Sequence, residues 1–86
     1  ESRLAAIRNA MMMRVLVSLF SSLRIGRFSE AEVELPEGAA VADLLDKLQI
    51  PLQDIGIVVV NARSGTFQQK LQADDRITLI PPIGGG

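Results

Sequence analysis

The sequence contains no histidine, no cysteine, no tyrosine and no tryptophan. Without Cys or His there is no thiolate or imidazole nucleophile, no imidazole general base and no metal site built on those ligands. The lack of cysteine also excludes a disulfide framework, which fits a reducing compartment. Phe20, Phe28 and Phe67 are the only aromatics, so the core must be aliphatic and no platform for stacking bases exists. Neither sign of charge dominates: 9 Lys and Arg against 10 Asp and Glu leave a net charge of −1. The basic residues are scattered, so the electrostatic footprint of a nucleic-acid binder is missing. No Gly-x-x-x-x-Gly-Lys-[Ser/Thr] phosphate loop is present either.

Long apolar runs are also lacking, and none approaches the ~20 residues that span a bilayer. Residues 11–20, preceded by Arg3 and Arg8, faintly imitate a secretory leader. Arg14 breaks that stretch, however, and no small-x-small cleavage site follows Phe20. The expectation is a cytoplasmic protein that binds neither nucleic acid nor membrane. A chain of 86 residues makes one domain, and a domain this small buries only about 60–65% of its unfolded surface. It has little room for an enzyme cleft of its own.

Periodicity supplies the elements. Residues 1–12 form an N-terminal extension, expected to be disordered or a short helix, since ten residues with Leu4 and Ile7 at helical spacing are marginal alone. Residues 14–20 are apolar and β-branched without Gly or Pro, the pattern of an interior strand. In residues 30–35 Glu30, Glu32 and Glu34 alternate with Ala31, Val33 and Leu35. That reads as an edge strand whose solvated carboxylates discourage aggregation, rather than as a metal site.

From Val41 the period changes: Val41, Leu44, Leu45 and Leu48 mark one face of a helix, which Pro51 ends. Ala40 at its cap offers no side-chain oxygen, so a soft start is expected, with Ala40→Ser or Thr stabilising by roughly 0.5–2 kcal/mol. Residues 57–61 are the strongest strand signal, 62–65 a turn, and Thr66-Phe67 a candidate return strand. Leu71 is a lone anchor in a polar stretch before a last strand over 76–80. The order β-β-α-β-(β)-β predicts an α+β fold in which four or five strands of a mixed sheet pack on one main helix. Strands 14–20 and 76–80 should lie parallel at its centre, a β-grasp.

The last strand meets Pro81 and Pro82, which lack N–H donors and end ladder pairing. Ile83 and the glycines Gly84, Gly85 and Gly86 follow. A glycine-rich end is ordinarily only a frayed terminus. Here it also presents an unhindered α-carboxylate on Gly86, ionised at neutral pH and therefore a poor acyl donor until activated. Attack on the α-phosphate of ATP would activate it. That step needs a metal or Arg/Lys clamp for the two anions, which a partner enzyme must bring.

Taken together, these residues resemble the MoaD/ThiS group of ubiquitin-like sulfur carriers. The resemblance covers about residues 13–86. It rests on Leu19-Phe20-Ser21-Ser22-Leu23-Arg24, on Leu35-Pro36-Glu37-Gly38-Ala39 leading into Val41-Ala42-Asp43-Leu44-Leu45, on the strand ending in Asn61, and on Leu71 with Asp75-Arg76-Ile77. Its most specific piece is Pro81-Pro82-Ile83-Gly84-Gly85-Gly86. The resemblance implies a β-grasp domain over 13–83 with a flexible glycine tail at 84–86. It implies that the protein is a carrier with no bound cofactor or metal, and not an enzyme. An E1-like adenylyltransferase of the MoeB/ThiF type would adenylate Gly86 with ATP, and a sulfurtransferase would help convert it to a thiocarboxylate. Gly85 and Gly86 match the family diglycine, and Gly84 takes a position usually filled by Ala, Ser or Thr.

The resemblance places Ile80, Pro81, Pro82, Ile83, Arg24 and Phe67 at the partner surface. The Leu-Arg motif and the proline pair lie nearer the MoaD branch than the shorter ThiS branch. That favours molybdopterin biosynthesis with a MoaE-type large subunit over a thiazole synthase and thiamin. Protein conjugation is open from the same acyl adenylate. A reading of a different class is a non-catalytic β-grasp interaction module, for which the glycines would be dispensable.

Overall fold

The computed structural model describes residues 11–83. The expected glycine tail and residues 1–10 of the expected extension lie outside the described residues. The elements are β1 (Met12–Leu19), β2 (Glu30–Pro36), α1 (Val41–Leu48), β3 (Ile57–Val60), β4 (Arg63–Ser64) and β5 (Arg76–Ile80). β1 begins ahead of the expected Arg14: Met12, counted with the extension in the sequence reading, pairs with Pro36, and the Met11 carbonyl accepts from Glu37 N–H at 2.8 Å.

The strands form one sheet in the order β2-β1-β5-β3-β4. β1 and β5 are the parallel central pair, with Leu16 opposite Arg76 and Leu19 opposite Leu79. β2 pairs antiparallel with β1, and β3 antiparallel with β5. Period-two alternation then sorts the side chains. Val15, Val17 and Leu19 of β1, Ile77 and Leu79 of β5, Val58 and Val60 of β3, and Val33 and Leu35 of β2 are buried. With Val41, Leu44 and Leu45 of α1 they form one aliphatic core. Each such side chain removed from water contributes about 1.5–3 kcal/mol. This is the β-grasp arrangement anticipated from the sequence.

The acidic strand β2 lies at the sheet edge, as expected. Glu32 and Glu34 flank Arg14, both at 3.8 Å, with all three side chains at least 60% exposed. Exposed pairs of this kind are worth about 0–1 kcal/mol. The turn between β2 and α1 needs a left-handed residue, supplied by Gly38 at φ +86°.

Two expectations are corrected. The return strand is Arg63–Ser64, not Thr66-Phe67. The hairpin turn is made by Asn61 and Ala62, both left-handed at φ 51° and 69°, the geometry of a tight two-residue β-hairpin. Gly65 continues the ladder by donating to Val58 O at 2.8 Å, while Thr66 and Phe67 enter a turn closed by Gln69 N–H on Thr66 O at 3.2 Å.

That turn accounts for the second correction. Its carbonyls cap the helix: Val41 N–H donates to Gln69 O at 3.0 Å and Ala42 N–H to Phe67 O at 2.9 Å. The Asp43 carboxylate accepts from Ala40 N–H at 2.8 Å. Asp43 N–H and Leu44 N–H donate to Ala40 O at 3.0 and 3.2 Å, so the first N–H groups of α1 are bonded without a side-chain oxygen on residue 40, and the gain expected from a hydroxyl there has no free donor to draw on. At the other end, the Arg27 guanidinium donates to Leu48 O and Gln49 O. A cation thus meets the carbonyl end of the dipole.

Candidate functional site

β5 runs toward the Pro81-Pro82 pair, so the site is the end of the sheet where β1 and β5 finish and β3 begins. On one side, Phe20 N–H donates to Leu79 O at 3.1 Å. The chain then winds into a short 3-10 helix, Ser21–Arg24. Arg24 Nε donates to Leu19 O at 2.7 Å, and its guanidinium carbon lies 5.4 Å from the centre of the Phe20 ring. Arg24 is therefore held in place although it is exposed, by a charge-assisted hydrogen bond and a cation–π contact.

On the other side, Ile57 stands opposite Ile80, and Gly56 N–H donates to Ile80 O at 2.7 Å. Beyond that bond the prolines have no N–H to give, and pairing stops. Gly56 does something more. A Cβ built on it would lie 2.6 Å from Pro82 Cα, 2.8 Å from Pro82 N and 2.9 Å from Pro81 O. Its hydrogen is what lets the proline backbone pass.

Exposure changes over four residues. Ile80 and Pro81 are half-buried, Pro82 is exposed, and Ile83 is 86% exposed. Phe20, just past the end of β1, and Ile57 of β3, opposite Ile80, are 44% and 40% exposed. The root of the tail is thus rimmed by apolar surface, with Arg24 beside it. An open groove of 580 Å³ runs along the same end, lined by Ser22, Arg27, Asp54, Pro81 and Pro82 among others.

The structure therefore brings together Ile80, Pro81, Pro82, Ile83 and Arg24. Phe67 is not with them. It packs half-buried against the core at the amino end of α1, and that end lies near Pro36 and Met12, where β1 begins and β2 finishes, at the opposite end of the strands. Gly84, Gly85 and Gly86 lie outside the described residues. Among the described residues every buried side chain is apolar, so no desolvated carboxylate or lysine stands ready for proton transfer. No helix among them is long and apolar enough to cross a membrane.

Sequence reading gave no role to Gly56 or Arg27, and took Asn61 only as the end of a strand. A lone glycine ahead of the strongest strand was the available signal for the first. Its partner lies 26 positions downstream, beyond the reach of any local pattern.

Comparison with known proteins agrees with this geometry. The sequence model of the ThiS family matches residues 17–86. No curated protein matches the chain. Among solved structures, a Pyrococcus furiosus protein described as molybdopterin converting factor subunit 1 is 27% identical with a TM-score of 0.68; the match covers 83% of this chain and 99% of that one. Small archaeal modifier protein 1 of H. volcanii is 23% identical, TM-score 0.70, over 83% and 99% of the two chains. Its counterpart from Methanosarcina acetivorans is 24% identical, TM-score 0.67, over 87% and 98%. The last two share the fold.

Proposed function

Because the chain belongs to the ThiS family, we propose that it is a ubiquitin-like sulfur carrier whose working group is the Gly86 carboxylate. The observation that carries this reading is the way β5 ends. A central strand becomes, within four residues, an exposed segment whose two prolines have no ladder donor to give. The residues after it have no side chains to hinder entry into a partner's active site.

The chemistry proceeds in two displacements. A Gly86 carboxylate oxygen bonds to the α-phosphorus of ATP and pyrophosphate leaves, in the active site of an E1-like adenylyltransferase that supplies the cationic clamp. Hydrosulfide, released from the sulfurtransferase's persulfide by a thiol reductant that becomes a disulfide, then adds to the carbonyl carbon. AMP departs, leaving a thiocarboxylate and a proton. The carrier contributes the acyl group and a docking surface, made by Ile80, Pro81, Pro82, Ile83 and Arg24.

The P. furiosus relative is described as a molybdopterin converting factor subunit. We take molybdopterin formation, with a MoaE-type large subunit, as the pathway. The thiamin route through a thiazole synthase is the alternative. A lysine amine can attack the same adenylate, and two structural relatives are described as small archaeal modifiers, so an isopeptide product is the competing outcome.

ATP–pyrophosphate exchange with an E1-like enzyme tests the proposal. The full chain is expected to support exchange and the chain lacking Gly85 and Gly86 to support none. Exchange that survives the deletion, or no exchange with the full chain, contradicts it and returns the protein to the class of interaction modules.

A further inference from the structure

Resting on the reading just given, we propose that Gly56 is a positioning residue: its missing side chain sets the direction in which the chain leaves the sheet, and hence the rate at which the terminal carboxylate is activated. Gly56 is not required for its backbone conformation, because its φ lies outside the left-handed range. It is required for space. The atoms that a Cβ would meet, at 2.6, 2.8 and 2.9 Å, are all backbone atoms of Pro81 and Pro82. A flexible side chain would swing aside, but two consecutive prolines with φ held near −65° have little freedom to do so. The same residue donates the last ladder bond, to Ile80 O at 2.7 Å. One glycine therefore both closes the pairing and fixes the exit.

Leverage magnifies any disturbance. From Pro82 to Gly86 the chain can reach about 13 Å when extended. A deflection of ~10° at its root would move an extended end by roughly 2 Å. Misplacing a reacting group by about 1 Å can cost on the order of a hundredfold in rate. The glycines can absorb part of the deflection, so the expected loss is smaller. Ile80 and Arg24 of the docking surface do not meet the added methyl, while Pro81 and Pro82 shift with the root of the tail, so the loss is expected to be larger in kcat than in KM.

The experiment compares Gly56→Ala with the wild type in ATP–pyrophosphate exchange over a range of carrier concentrations. Val33→Ala serves as a control, because it cuts the core at the far edge strand β2 and does not touch the tail. Thermal melts report stability for each. Gly56→Ala is expected to lower kcat about tenfold with KM within about twofold, while Val33→Ala, with an equal or larger loss in Tm, changes neither. Gly56→Ala kinetics equal to the wild type overturn the inference and leave the carrier reading standing, as does a matching kcat loss in Val33→Ala. A wild type that no E1-like enzyme activates overturns the carrier reading itself. Should Gly56→Ala fail to fold, Gly56→Ala with Pro82→Ala frees φ at position 82 so that the backbone can step away from the new methyl. That double variant is expected to fold and to stay below Pro82→Ala in kcat, and equality of the two overturns the proposal.

Discussion

The two ends of β5 are built on opposite plans. At the Arg76 end the chain is tied from several directions. Asn61 N–H donates to Arg76 O at 2.8 Å, Arg76 N–H donates to Asn61 Oδ1 at 2.9 Å, and Asn61 Nδ2 donates to Asp75 Oδ1 at 2.9 Å. Asp75 O accepts from Leu16 N–H, and its carboxylate accepts from Gln72 N–H at 2.8 Å. At the Ile80 end, beyond the strand ladders themselves, Phe20 N–H donates to Leu79 O and Gly56 N–H to Ile80 O, and then come two residues with no donor. One end holds the strand in register, and the other releases the chain from it. A carrier needs both, because an acyl group can be presented reproducibly only from a root that does not slide.

The contrast can be broken in graded steps. Removing Gly85 and Gly86 should abolish activation while leaving the thermal midpoint unchanged, since neither residue contributes a side chain to the core. Leu79→Ala attacks the shared foundation of both ends. Leu79 is fully buried, and its truncation is expected to cost about 2–5 kcal/mol, seen as an earlier denaturant midpoint. Asn61→Ala removes the tie alone. Losing its side-chain bonds and placing alanine at φ 51° should cost about 1–2 kcal/mol, with kcat of activation preserved. Asn61→Gly, which tolerates that φ, should cost less than Asn61→Ala, and the reverse order would contradict the assignment of strain to this turn.

Ala62→Gly sharpens the tied end instead. Ala62 sits at φ 69°, and relief of that conformation should raise stability by about 0.5–1 kcal/mol. The smallest effect is expected from Ala40→Ser, within about 0.5 kcal/mol of the wild type, because the carbonyls of Phe67 and Gln69 and the Asp43 carboxylate already bond the N–H groups at the helix start.

Local periodicity made much of this legible. The alternation in β2, the helical spacing of Val41, Leu44, Leu45 and Leu48, and the apolar runs of β1, β3 and β5 each report a face that must be buried. The proline pair announced where β5 stops. Hidden from the sequence were features whose partners are remote along the chain: Gly56 against Pro82, Arg27 on the helix carbonyls, and Phe67 O capping Ala42. The misplaced hairpin has the same origin. Gly65 is the stronger turn residue by local chemistry, yet Asn61 takes the turn because Asp75 and Arg76 hold its side chain. Phe67 was drawn toward the partner surface by the resemblance, and the structure places it at the amino end of α1.

The most direct test of the central claim is the intact mass of the carrier after incubation with ATP, an E1-like adenylyltransferase, a sulfurtransferase and a sulfur source, followed by mass analysis of its C-terminal peptide. The account predicts a gain equal to the difference between a sulfur and an oxygen atom, confined to the peptide containing Gly86. An unchanged mass under conditions in which the wild type undergoes ATP–pyrophosphate exchange, or a gain located elsewhere in the chain, would contradict it.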